Sequence, residues 1–309
     1  MRTILLWAFL CLTLITSACT QTENKGAIAA GERMKVVTTT SILKDAAQHI
    51  VGDLADVESI MGSGVDPHLY KATQGDLQKL TEADVIFYNG LYLEGKMGEI
   101  MEKLGRQKTV VTATAGIAED KLRASPVYKN SSDPHVWFDV QLWQDVVKHM
   151  SQELQQKDPA NAEAYKQNTQ AYLKELDTLH QWVKAQISTI PEQQRILITA
   201  HDAFGYFGDA YSINVRGLQG ISTVSEFGLQ DVSSLVNYIA DNKIKAVFVE
   251  SSVSPKAIEA VVIGSKQKGH EVQVGGTLFS DALGEEGTAE GTYLGMVRHN
   301  VNTIVSSLK

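Results

Sequence analysis

"NAEAYKQNTQAYLKELDTLHQWVKAQIS", residues 161–188, contains neither Gly nor Pro and sets Tyr165, Tyr172, Leu176, Leu179 and Val183 at spacings of 3, 4 and 7. That period predicts one long helix with a single apolar stripe, polar elsewhere and ending before Pro191. A helix of this length is long for a globular core and suits a rigid connector. Its flanks say what it connects. Upstream, "MKVVTTTSILKDAAQHIVGD" reads as a strand followed by a helix with Ser41 as N-cap. The rhythm recurs in the strands "ADVESIM", "VIFYNG" and "KTVVTATAG". It recurs too in the helices "TQGDLQKLTEAD", capped by Thr73, and "VQLWQDVVKHMSQELQQ". Downstream it resumes with "RILITA", "DVSSLVNYIADN", "IKAVFVESS", "PKAIEAVVIGSKQKG", "HEVQVGG" and "TYLGMVRHNVNTIVSSL". Strands alternating with helices indicate mostly parallel sheets covered on both faces. The fold class is therefore α/β: two lobes, residues 34–160 and 191–309, joined by a connecting helix within 161–190.

The chain has 309 residues, 43% hydrophobic and 21% charged, enough for a sizeable core. Residues 1–18 differ from the rest: Arg2, then the apolar run "ILLWAFLCLTLI", then the small residues of "TSAC". This is the layout of a secretory signal peptide, whose apolar run is short for a membrane span. Cleavage would discard Cys11 and leave Cys19 alone, unable to form an internal disulfide. Small residues ending in Ala-Cys resemble a bacterial lipobox, although Thr16 stands where Leu is usual, so a lipid-bearing Cys19 is expected, with cleavage after Ala18 the alternative. Residues 19–33, polar and small after Cys19, read as a flexible tether. The protein is expected to be exported to the periplasmic space and held at the membrane by that lipid. Without residues 1–18 the chain carries 27 basic and 36 acidic residues, a formal charge of −9. That balance argues against nucleic acid and for cations as partners.

The tripeptide Asp-Pro-His occurs twice, in "VDPHLY" (65–70) and "SDPHVWFD" (132–139). Ligands of open α/β sheets bind beyond the carboxyl ends of the strands, and His68, His135, His201 and Asp281 all follow predicted strands. Three imidazoles and one carboxylate suit Zn²⁺, which takes four such ligands at about 2.0 to 2.2 Å, and Mn²⁺ or Fe²⁺ accept similar donors less tightly. Proline stiffens each turn and lowers the entropy lost on capture. Asp66 and Asp133 would then accept from a ring N–H or a nearby backbone donor, or act as outer ligands. Tyr70, Trp137 and Phe138 read as an apolar wall beside the histidines, and Glu250, at a strand end, as a further supporting acid. A lone histidine is more often a core or surface residue than a ligand, and His49, His149, His180, His270 and His299 are assigned no site role. "GSG" at 62–64 is a turn rather than a phosphate loop.

"GSGVDPHLY", "DPHVWFD", "TAHDAFGYF", "GISTVSEFG", "FVESS" and "GGTLFSDALGEEGTAEGTYLGMVRHN" together resemble, in order and spacing, the TroA-type (cluster A-I) metal-binding receptors of bacterial ABC importers. The resemblance spans residues 35–309. It implies a four-stranded sheet in each lobe and one metal bound in the cleft as cargo. The ligands it implies are His68, His135, His201 and Asp281, with Asp66 close to the metal. It also implies an ABC permease and a cytoplasmic ATPase as partners, no catalysis, and a monomer. Two departures bear on the metal. Many zinc receptors of this type carry a His-rich loop before the second ligand, whereas "GIAEDKLRASPVYKNSSDPH" (116–135) has no extra histidine. Typical manganese receptors have Glu where this chain has His201. Zinc, manganese or both are expected, with iron as an alternative. A surface adhesin is a further reading, since some members were first described so; a zinc hydrolase is disfavoured because four protein ligands leave little room for an activated water. A rigid connector opposes wide hinge opening, so small lobe motions with rearrangement around His68 and Asp281 are expected.

Overall fold

The computed structural model describes residues 32–125 and 131–309. The expected signal, Cys19 and the expected tether up to residue 31 lie outside the described residues, whereas Arg33, assigned to that tether, donates to the Ala55 carbonyl at 3.0 Å and pairs with Asp56 at 3.1 Å. Before the connecting helix the order is β1 (Met34–Thr38), α1 (Ser41–Val51), β2 (Ala55–Ser59), α2 (Gln74–Glu82), β3 (Val85–Tyr88), α3 (Gly98–Gly105), β4 (Thr109–Thr112) and α4 (Val140–Lys157). The four strands form one parallel sheet in the order β2-β1-β3-β4. α1 buries Ile42, Leu43, Ala46, Ala47 and Ile50, one face at helical spacing. Its N-cap is Thr40, whose hydroxyl accepts from the Leu43 amide, so the expected cap moves one residue upstream of Ser41. The hydroxyl of Ser41 instead accepts from the Leu283 amide. α2 starts at the predicted Thr73, in a capping box with Asp76.

The connecting helix α5 runs over Ala162–Ile187 and buries Tyr165, Thr169, Tyr172, Leu176, Leu179, His180, Val183 and Ile187. It packs on α1 and α4 of the first lobe and on α9 of the second. The second lobe follows as β5 (Ile196–His201), α6 (Gly205–Tyr211), β6 (Asn214–Gln219), α7 (Leu229–Asp241), β7 (Ala246–Glu250), α8 (Lys256–Gln267), β8 (Gln273–Leu278) and α9 (Tyr293–Leu308). Its strands make two parallel ladders, β5 with β6 and β7 with β8, where one continuous four-stranded sheet is expected from the resemblance. β5 and β7 still run side by side. At their carboxyl ends the His201 amide donates to the Glu250 carboxylate at 2.8 Å, so a side chain takes the place of a ladder carbonyl.

One buried apolar cluster extends from Val36 and Phe87 of the first sheet, through Tyr172 and Leu176 of α5, to Phe248, Leu278 and Ile304 of the second lobe. Smaller clusters lie under α2 and α3, around Leu80 and Met101, and under α7 and α8, around Ile239 and Ile258. No described helix is long and apolar enough to cross a membrane.

Candidate metal centre

The two Asp-Pro-His tripeptides make the same local turn. Asp66 Oδ1 accepts the His68 amide at 2.8 Å, and Asp133 Oδ1 accepts the His135 amide at 3.0 Å. An Asp side chain that binds the backbone two residues on fixes a turn without help from a ladder. His68 sits in the loop after β2, and His135 directly precedes the short helical turn Val136–Phe138. From the other lobe, His201 is the last residue of β5 and Asp281 follows β8.

The structure brings these four together. Each offers a donor atom within 4.8 Å of the others'. His68 Nε2 is 3.3 Å from His135 Nε2, and Asp281 lies 3.8, 3.5 and 3.4 Å from the Nε2 atoms of His68, His135 and His201. All four are 3% exposed or less, so the cluster is shut from bulk water. Among the described residues, His201 Nε2 and both Asp281 carboxylate oxygens have no hydrogen-bond partner. Buried polar atoms left without partners are costly, and a divalent cation at their focus would match them.

The Nδ1 faces are held from behind. Asp133 Oδ1 accepts from His135 Nδ1 at 2.7 Å, and Glu250 Oε2 from His201 Nδ1 at 2.5 Å. This fixes both rings with Nε2 turned inward, the face a metal would take. Electrostatics separate the three imidazoles. Burial pushes the His68 pKa down to about 3, so that ring is neutral. Burial also opposes charge on His201, but Glu250 and Asp281 outweigh it and hold its pKa well above 6.5. Asp281 is pulled below the carboxylate range: burial works against its charge, and His201, His135 and His68 overcome it.

The candidate supporting residues divide. Asp66 uses its second oxygen to accept from the Thr223 hydroxyl at 2.6 Å, a tie between the lobes, and burial raises its pKa. Trp137 lies edge-on to His135 with ring centroids 5.3 Å apart and donates to the Ser280 carbonyl, which precedes Asp281. Tyr70 is not brought to the cluster. Its hydroxyl donates to Asp76 at 2.6 Å, because the capping box of α2 offers a nearer carboxylate than the site does. Phe138 stacks on Phe204 instead of facing the imidazoles. Sequence reading missed Thr223, Ser280 and Arg123, whose roles come from contacts between distant segments. All three lie within stretches that carry the family resemblance or its departures, Thr223 in "GISTVSEFG", Ser280 in "GGTLFSDALGEEG" and Arg123 in "GIAEDKLRASPVYKNSSDPH", but nothing in those stretches marks them individually.

Comparison with known proteins gives relatives over the whole length. The chain is 48% identical over 309 residues to the manganese-binding lipoprotein MntA of Bacillus subtilis (strain 168), with both chains fully covered. It is 44% identical to the zinc-binding protein TroA of Treponema pallidum (strain Nichols), covering 97% of this chain and 96% of that one. The solved structure of the Treponema pallidum protein superposes with a TM-score of 0.87 over 90% of this chain and 99% of the other, at 45% identity. The iron-binding protein YfeA of Yersinia pestis is 33% identical, covering 98% of this chain and 95% of its own. With residues 36–307 also matched by the family model ZnuA, described as the periplasmic component A of a zinc-uptake complex, the chain belongs to that family of metal receptors.

Proposed function

We propose that this chain is the extracytoplasmic receptor of an ABC importer that captures one divalent transition metal between its lobes and delivers it to a membrane permease driven by a cytoplasmic ATPase. His68, His135, His201 and Asp281 are the ligands, with Asp133 and Glu250 orienting two of the rings. The observation that carries this reading is the convergence of four buried donor groups, three of whose atoms lack hydrogen-bond partners among the described residues. Lobes bounded at 34–160 and 191–309, a signal at 1–18, a lipid on Cys19 and a monomeric state complete the proposal. The similarity to proteins named as lipoproteins supports the anchor.

Zinc is favoured in affinity, because three imidazoles and one carboxylate bind divalent ions in the order Mn²⁺ < Fe²⁺ < Zn²⁺. The relatives are named for manganese, zinc and iron, so cargo in the cell is zinc or manganese, with iron as the alternative. The test is elemental analysis of protein purified from its native export site, paired with uptake of radioactive zinc, manganese and iron by a deletion strain. One zinc or manganese per chain and loss of uptake of that metal are expected. Retention of stoichiometric metal by His135→Ala would refute the ligand assignment, and unchanged uptake of all three metals would refute the transport role.

A further inference from the structure

Behind the His135 turn lies a cross-lobe junction that the four donors do not require. Residues 123–125 and 131–133 run antiparallel: Ala124 bridges Ser132, and the Asp133 amide donates to the Arg123 carbonyl at 2.8 Å. This sets Arg123 opposite Asp133, with Arg123 Nε 3.6 Å from Asp133 Oδ2. Asp133 thus divides its two oxygens, Oδ1 to the amide and ring of His135 and Oδ2 to the guanidinium. The far side of that guanidinium, Nη1, pairs with Asp209 of α6. Tyr206, also on α6, accepts from the Arg123 amide at 3.0 Å and donates to the Asp133 carbonyl at 3.0 Å.

The second lobe is shaped for this contact. A Cβ at Gly205 would stand 2.8 Å from Arg123 Nε and 3.0 Å from Asp133 Oδ2. α6 itself begins four residues after His201. One arginine therefore ties the turn that carries His135 to the segment that follows His201. The other carboxylate–histidine pair differs. Glu250 spends both oxygens on His201, and among the described residues no Lys or Arg is ion-paired with it. It needs no outer clamp because β7 and β5 hold both partners.

We infer that Arg123 is a positioning residue for metal retention: braced by Asp209 and Tyr206 on the second lobe, it fixes Asp133, and through Asp133 it holds the His135 ring on the metal. The inference rests on His135 being a ligand. A competing effect has the opposite sign. A guanidinium beside Asp133 withdraws charge from it and makes His135 a weaker donor, so losing the cation alone would tighten binding. Positioning outweighs this here, because among the described residues Arg123 is the cation paired with Oδ2, and without it the turn loses its tie to α6.

The two effects separate in the variants Arg123→Gln and Asp209→Asn. Asp209 does not touch Asp133, and its replacement leaves the guanidinium charge in place. Release of Zn²⁺ to excess chelator, followed by stopped flow, is expected to quicken about 10- to 100-fold in Arg123→Gln, the range typical of groups behind metal ligands. Asp209→Asn should quicken it in the same direction, and the double variant should be no faster than Arg123→Gln, since both changes break one brace. The Co²⁺ absorption spectrum should keep its tetrahedral intensity in both variants, as the donor set is intact. Slower release in Arg123→Gln with no change in Asp209→Asn would overturn the inference in favour of charge withdrawal. Wild-type release rates in both would overturn it outright. Asp209 is on the surface, so its variant tests the idea even if Arg123→Gln folds poorly. A wild-type Co²⁺ spectrum in His135→Ala would instead refute the ligand assignment, leaving the two failures distinguishable.

Discussion

His201 is the residue at which proton and metal compete. Its Nδ1 faces Glu250 and its Nε2 faces Asp281, and the two acids keep the ring charged to pH values well above 6.5 despite complete burial. The metal-free site at neutral pH therefore holds a proton on His201, whereas His68, with a pKa near 3, holds none. A metal at Nε2 must expel that proton. Because the pKa is raised, the proton is lost only as pH rises through the raised value, so apparent affinity climbs with pH across neutrality, about tenfold per unit while one proton is displaced. Calorimetric titration with Zn²⁺ in two buffers of different ionisation enthalpy should report release of close to one proton per metal at pH 7. Glu250→Gln should lower that number, since the carboxylate that holds the proton is gone, and weaken binding about 10- to 100-fold. Affinity that stayed flat from pH 6 to 8, with no proton released, would contradict the site's electrostatics.

Strand placement fixes where that ring sits, and β6 packs closely against the end of β5. A Cβ on Gly217 of β6 would fall 2.4 Å from the Asp202 amide nitrogen and 2.6 Å from the His201 carbonyl carbon. Both are backbone atoms that cannot turn aside, so Gly217→Ala must push the end of β5 outward. The expected outcome is a loss of about 1–3 kcal/mol in urea unfolding of the metal-free protein, the usual cost of overpacking, together with weaker metal retention. Gly62→Ala, whose Cβ meets nothing within 4 Å, should change neither. What could be read from the sequence follows the same division between local and distant. Helix α5 was legible to within a residue at each end because its stripe is periodic and continuous. The Asp-Pro-His turns were legible because an Asp that caps the amide two residues on is a local device. His201 and Asp281 lie 80 positions apart, a spacing that follows no periodic rule; their place after predicted strands made them candidates with His68 and His135, and the resemblance strengthened the grouping. The reach of Thr223 to Asp66 and of Arg123 to Asp209, the turn of Tyr70 towards Asp76, and the division of the second sheet were not legible. Each depends on which distant segment arrives nearest, and no pattern along the chain encodes that.

At the scale of the molecule the two lobes share one apolar core through α5, and this sets how cargo leaves. Leu176 is fully buried in the middle of that core, with residues of both lobes in the same cluster. Leu176→Ala should cost about 2–5 kcal/mol, as for other buried leucines, and it should lower a single unfolding transition rather than split it into two. A receptor that closed like a hinged clam would have to separate its lobes across such a core, exposing apolar surface at roughly 25 cal/mol per Å². Several polar ties would break as well. Asp66 meets Thr223, Trp137 donates to the Ser280 carbonyl, Tyr293 donates to the Trp137 carbonyl at 2.7 Å, and Lys44 pairs with Glu286 at 2.8 Å. Loops are cheaper to move. His68 lies in the stretch between β2 and α2, and Asp281 in the stretch between β8 and α9, so each can withdraw without unpacking a helix. Small-angle scattering of metal-free and zinc-loaded protein should therefore give superimposable profiles. Hydrogen exchange should slow on loading in residues 60–73 and 279–291 while α5 stays equally protected in both states. A clear fall in radius of gyration on loading, accompanied by new protection along α5, would mean that the shared core opens after all and that release is a motion of whole lobes.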